Sequence, residues 1–167
     1  KVLDTLAVQL QSENPKPLKV RKSKTKREPH FKVGDVLAVK FKDNYGAIFV
    51  SDVDQSPRKI EYHLACTRLL QADKPSMDDF LNSQISCRKD NTNFGIDTDC
   101  WFTHKDLGLL LDDLEIIGTV ELYPCKLRRL APAGTLDDIY NEITDEPRIG
   151  RLRLIDTYEL VKDIIRQ

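Results

Sequence analysis

The chain has 167 residues, enough for one domain with attachments. It is 40% apolar and 32% charged, which suits a globular protein with one core. No apolar run approaches the roughly 18 residues of a membrane span, so no spanning helix is expected. A formal net charge of −1 excludes a wholly basic nucleic-acid binder, but the charge is uneven. Residues 1–30 hold eight basic and three acidic residues, net +5, and the rest hold 18 basic and 24 acidic, net −6. A basic arm precedes an acidic body, and such a body attracts basic partners.

Val2, Leu3, Leu6 and Leu10 lie near helical spacing and predict a short amphipathic helix over 1–11. Residues 12–30 contain Pro15, Pro17 and Pro29 and a dense run of cations, which opposes compaction and reads as a linker. The expected organisation is therefore 1–29 as helix plus linker, and 30–167 as one β-rich domain. The chain starts with Lys1 inside a helical pattern, so it is expected to be the C-terminal part of a longer protein.

Leu37, Val39 and Phe41 alternate as one strand face, Lys42-Asp43-Asn44 supplies a turn, and Ala47–Val53 is rich in β-branched and aromatic residues. Together they predict a hairpin. Ile60, Tyr62 and Leu64 alternate in a third strand. Ser76 with Asp79 approximates a capping box and starts a short helix. Ile85 and Cys87 suggest a brief strand, and 88–99 reads as a polar loop with an edge strand near Phe94–Ile96. Thr103 with Asp106 starts a helix whose face is Leu107, Leu110, Leu111 and Leu114, although Gly108 weakens it. Leu114–Leu122 reads as one strand. Thr135 with Asp138 caps a helix over Leu136, Ile139, Tyr140 and Ile143. Ile149, Leu152 and Leu154 follow near strand spacing, and Asp156 caps a last helix striped with Leu160, Val161, Ile164 and Ile165. The fold class is α+β, mainly β: a small, strongly bent antiparallel sheet or an SH3-like, partly open barrel with short helical additions and a C-terminal helix. Leu37, Val39, Phe41, Ile48, Val50, Ile116 and Val120 are its expected core.

No chemistry stands out. Cys66, Cys87, Cys100 and Cys125 form no CxxC pair, so zinc spacing is absent and free thiols in a reducing compartment are expected. His30, His63 and His104 do not converge in sequence, and His104 reads as an exposed helix residue. His63 and Cys66 fall on opposite strand faces, which disfavours an enzyme built on them. Asp52-Val53-Asp54 and Asp97-Thr98-Asp99 are calcium-like fragments without the full loop motif, so acidic surface is the better reading. No phosphate-binding loop and no nucleophile motif is present. No cofactor, metal or catalytic residue is therefore expected. As a recognition surface, the aromatic Tyr45 and Trp101 combine with Asp52, Asp54, Asp97 and Asp99, with core packing as the competing role of the aromatics. Arg21, Lys22, Lys24, Lys26 and Arg27 could neutralise phosphates, but no aromatics interleave them for base stacking.

Phe31-Lys32-Val33-Gly34-Asp35-Val36-Leu37-Ala38-Val39, the Asn44-Tyr45-Gly46 turn and the Ile48–Val53 strand resemble the opening of the bacterial immunity protein 26 family. Leu114–Gly118 resembles that family's later hydrophobic-Ile-Gly strand, while Glu115 and its neighbours stand where the family carries a tryptophan. The resemblance spans about 30–125. It implies an SH3-like barrel and a role in neutralising toxins of neighbouring bacteria. The expectation is a cytoplasmic, non-enzymatic protein-binding module with a basic toxin as partner. The alternative is a nucleic-acid-associated protein working through the arm at 16–27.

Overall fold

A computed structural model describes residues 27–86, 88–89, 96–98, 100–122, 127–129, 133–144, 153–154 and 161–166. The helix expected over 1–11, the arm up to residue 26, and Cys87, Cys125, Phe94, Ile149, Leu152 and Asp156 lie outside the described residues.

The fold is mainly β. Its centre is a five-stranded antiparallel sheet in the order β6-β3-β2-β1-β7. The strands are β1 (Asp35–Lys40), β2 (Tyr45–Gln55), β3 (Ile60–Gln71), β6 (Cys100–Thr103) and β7 (Leu114–Thr119). The sheet is open, with β6 and β7 as its two edges. Of the geometries the sequence allows, the bent sheet is the one found. Register shifts interrupt the ladders between Val36 and Leu37, Gly46 and Ile48, and Val50 and Asp52, and such bulges bend strands. Two small sheets flank it: β10-β4-β5-β9 (Arg153–Leu154, Arg88–Lys89, Ile96–Thr98, Leu127–Arg129) and β11-β8 (Ile165–Arg166, Glu121–Leu122).

The turn into β1 explains the Gly-Asp pair. Asp35 is buried, and its carboxylate accepts the Lys32 N–H at 2.7 Å and the Thr119 hydroxyl at 3.3 Å. Gly34 has φ +90°, a conformation that favours glycine. Its N–H donates to Val50 O, and its carbonyl accepts from Val120 N, each at 2.8 Å. A side chain there would collide with the Val120 carbonyl. The motif thus ties β1, β2 and the end of β7 together.

Both faces of the sheet carry a core. One cluster includes Leu37, Val39, Phe41, Ile48, Val50, Ile60, Tyr62, Leu64, Cys66 and Phe102, roofed by Leu107, Ile139 and Ile143. The other includes Val36, Ala47, Phe49, Ala65, Phe80, Ile85 and Val161. Fully burying a side chain such as Leu37 or Phe49 contributes about 1.5–3 kcal/mol.

The helices are short: α1 (Met77–Leu81), α2 (His104–Gly108), α3 (Leu136–Thr144) and α4 (Val161–Ile164). α1 has the expected capping box between Ser76 and Asp79. These hydrogen bonds hold the Asp79 carboxyl below its usual range. Thr103 caps α2 and Thr135 pairs with Asp138 at the start of α3, also as expected.

Four expectations are corrected. α2 ends at Gly108, so Leu107, Leu110, Leu111 and Leu114 do not share a helix: Leu111 starts a 3-10 turn and Leu114 starts β7. Leu114–Leu122 is broken at Val120, whose N–H bonds Gly34, so β8 is separate. Ile116 is 50% exposed and Val120 only half-buried, because β7 is an edge strand. Ile165 belongs to β11 rather than to the last helix.

Candidate functional site

Strand register builds the site. Asp52 of β2 lies opposite His63 of β3, and His63 opposite Trp101 of β6. Two residues along, Asp54 lies opposite Glu61, and Glu61 opposite Thr103. Paired residues share a face, so these six side chains form two rows on one side of the sheet. The intervening Val53, Tyr62 and Phe102 point into the first core cluster. The two-row face therefore continues the side occupied by Phe49 and Ala65.

Asp52 and Asp54 are exposed. They stand about 7 Å apart along the strand. Trp101 is half-buried, with the Lys59 ammonium 5.6 Å from the ring centroid, within cation–π range. Lys59 also pairs with the buried carboxylate of Glu61 at 2.7 Å. Trp101 and Phe102, adjacent on a strand, divide the competing roles: Phe102 is core and Trp101 faces outward.

His63 is 1% exposed. The bulge between Val50 and Asp52 turns Ser51 onto it, with Ser51 Oγ 2.5 Å from Nδ1. The Ser51 hydroxyl also donates to the His63 carbonyl at 3.2 Å. This hydroxyl–imidazole pair fixes the bulge and so the aim of Asp52. His63 and Cys66 do point to opposite faces. Cys66 and Cys100 are buried in the core with their sulfurs 3.9 Å apart.

A second polar cluster lies on the other side, and the sequence reading missed it. His30 and His104 stack with ring centroids 4.0 Å apart and planes 4° from parallel. The Tyr62 hydroxyl meets His104 Nδ1 at 2.9 Å and accepts the His30 backbone N–H at 2.8 Å. His104 is thus half-buried and partnered, not an exposed helix residue. Burial raises the Tyr62 pKa, partly offset by the His30 N–H. Burial lowers the His104 pKa, and the charges of His30 and Arg27 push it the same way.

The structure brings together Asp52, Asp54 and Trp101. It does not bring Tyr45 to them: half-buried Tyr45 starts β2 seven residues before Asp52, about 23 Å along the strand. Asp97 lies on β5 in a flanking sheet, and its side chain and Asp99 lie outside the described residues. Of the basic arm, Arg21, Lys22, Lys24 and Lys26 also lie outside; Arg27 is exposed, its carbonyl accepting Gln55 Nε2–H at 3.1 Å. Among the described residues no three His, Cys, Asp or Glu side chains are grouped to hold a metal ion, and no helix is long and apolar enough to cross a membrane. Comparisons with family models, curated proteins and solved structures each found no match.

Proposed function

We propose that this chain is a non-enzymatic protein-binding module whose recognition surface is built from Asp52 and Asp54 of β2 and Trp101 of β6, on either side of the buried Glu61 and His63 of β3, and that its partner is a basic protein. The observation that carries the reading is the exposure of Asp52 and Asp54 on the same face as Trp101. An aromatic anchor beside exposed carboxylates suits a cationic surface, since aromatics dominate binding energy and charge steers encounter. The net charge of −6 over residues 31–167 acts in the same direction. The likeness of residues 31–53 to the immunity protein 26 family supports a bacterial toxin as that partner, neutralised by occlusion. Four cysteines without paired spacing suit a reducing, cytoplasmic location.

The test starts with lysates of the source organism and its competitors, with and without nuclease, captured on the full chain and on the double variant Asp52→Lys, Asp54→Lys. A captured protein is then purified and titrated against both chains and against Trp101→Ala. Saturable one-to-one binding of a basic protein, weakened at least tenfold in the double variant and by Trp101→Ala, supports the proposal. Equal binding by all three chains overturns the assigned surface. Recovery of nuclease-sensitive material alone favours the second reading, nucleic-acid association through Arg21, Lys22, Lys24, Lys26 and Arg27.

A further inference from the structure

We propose that His104, stacked on the ring of His30, is an acid-sensitive latch, which holds Arg27–His30 against the sheet while His104 is neutral and releases it when His104 charges. Three contacts hold this segment. Gln55 donates to the Arg27 carbonyl at 3.1 Å, the His30 N–H donates to the Tyr62 hydroxyl at 2.8 Å, and the His30 ring lies flat on His104 at 4.0 Å. Gly108 makes room for the ring: a Cβ there would stand 3.3 Å from His30 Nε2.

The ring stack depends on protonation, and so does the bond between the Tyr62 hydroxyl and His104 that supports it. The Tyr62 oxygen already accepts the His30 N–H, so its own proton is the one available to Nδ1 of His104 at 2.9 Å. That bond needs Nδ1 bare. A proton on Nδ1 removes the acceptor of the buried Tyr62 hydroxyl. A charge on His104, whose ring lies 4.0 Å from that of His30, also meets repulsion from the His30 and Arg27 side. The facing groups are few. The segment brings Arg27, Glu28 and His30; β3 brings Tyr62; α2 brings Lys105 and Asp106, whose carboxylate is engaged by the Thr103 hydroxyl at 2.6 Å. Among the described residues no ion pair joins a carboxylate to either ring.

The sign follows from His104, which burial holds below its ordinary value. The released form takes up its proton first, near the ordinary histidine pKa of about 6.5. The closed form therefore loses stability as pH falls below about 6.5, and the loss levels off below the lower pKa of the closed form. Neutral solution keeps the latch shut.

Amide exchange and histidine-ring resonances, followed by NMR on the full chain from pH 7.5 to 5, test this. The protection factor of the His30 amide should fall about tenfold or more across that range while amides of β1 such as Val39 keep theirs. In His104→Phe, which keeps a ring but cannot titrate, His30 protection should not change with pH. Constant protection in the natural chain, or an equal fall in His104→Phe, overturns the latch. Should that variant fail to fold, the natural chain still decides. Loss of His30 protection must share its midpoint with the His104 ring titration, and separate midpoints overturn the proposal.

Discussion

One face of the large sheet changes character along its length. Around Phe49 and Ala65 it is apolar, covered by Phe80, Ile85 and Val161, and closed by the edge-to-face contact of Phe49 with Phe80 at 5.8 Å. Two residues farther along β3 it becomes polar, with Glu61, His63, Asp52, Asp54 and Trp101. The bulge between Val50 and Asp52 marks the change, and the backbone ladder continues through it. One half of the face stores stability and the other half displays charge, on a shared framework. The opposite face divides differently: its apolar cluster runs from Leu37 to Phe102, and its polar groups gather where the Tyr62 hydroxyl meets His30 and His104.

Substitutions can separate the two halves. Phe49→Ala should cost the most, about 3–5 kcal/mol in denaturant unfolding, because it opens a cavity in a fully buried site. A loss below 1 kcal/mol would show that the apolar half is not a core. Gly34→Ala should cost about 1–3 kcal/mol, through strain at positive φ and collision with the Val120 carbonyl. Its thermal midpoint should fall while partner binding by the refolded chain is kept. Ser51→Ala sits on the boundary. It removes the hydroxyl from His63 Nδ1 and should cost about 1–2 kcal/mol, with chemical-shift changes concentrated at Asp52 and His63. Shifts spread evenly over the sheet would mean that the bulge does not divide the face. Asp52→Asn with Asp54→Asn should change stability by no more than about 0.5 kcal/mol, since both are exposed. A larger loss would move these carboxylates from display to structure.

The parts legible in sequence were local. Ser76 with Asp79 and Thr103 with Asp106 cap helices because each bond spans three residues, and the β1–β2 hairpin is closed by the short Phe41–Asn44 connection. Asp52, Asp54 and Trp101 could be named from residue type. Their meeting could not, because it runs through His63 and depends on the register of three strands. The alternation of Ile60, Tyr62 and Leu64 identified one buried face, yet Glu61 and His63 between them are buried too, so a polar residue in the pattern did not mean solvent. Ile116 misled for the converse reason: its residue type suits a core, but it lies on an edge strand. The His30–His104 stack joins residues 74 positions apart and left no periodic trace. Gly108 weakens a helix by sequence pattern alone, whereas in the fold it both ends α2 and clears space for the His30 ring.

The sheet's two margins differ in a way that bears on self-association. At the β6 margin, the N–H of Ala133 donates to the Trp101 carbonyl at 2.8 Å, so an incoming strand would have to displace the segment that leads into α3. At the β7 margin no described strand lies beyond Leu114–Thr119, and Ile116 stands half in solvent. Fibres that grow by joining sheets side by side need two joinable margins per molecule, whereas one such margin allows only a closed pair. The main-chain hydrogen bond from Ala133 occupies an acceptor on Trp101 that side-by-side joining at that margin would need.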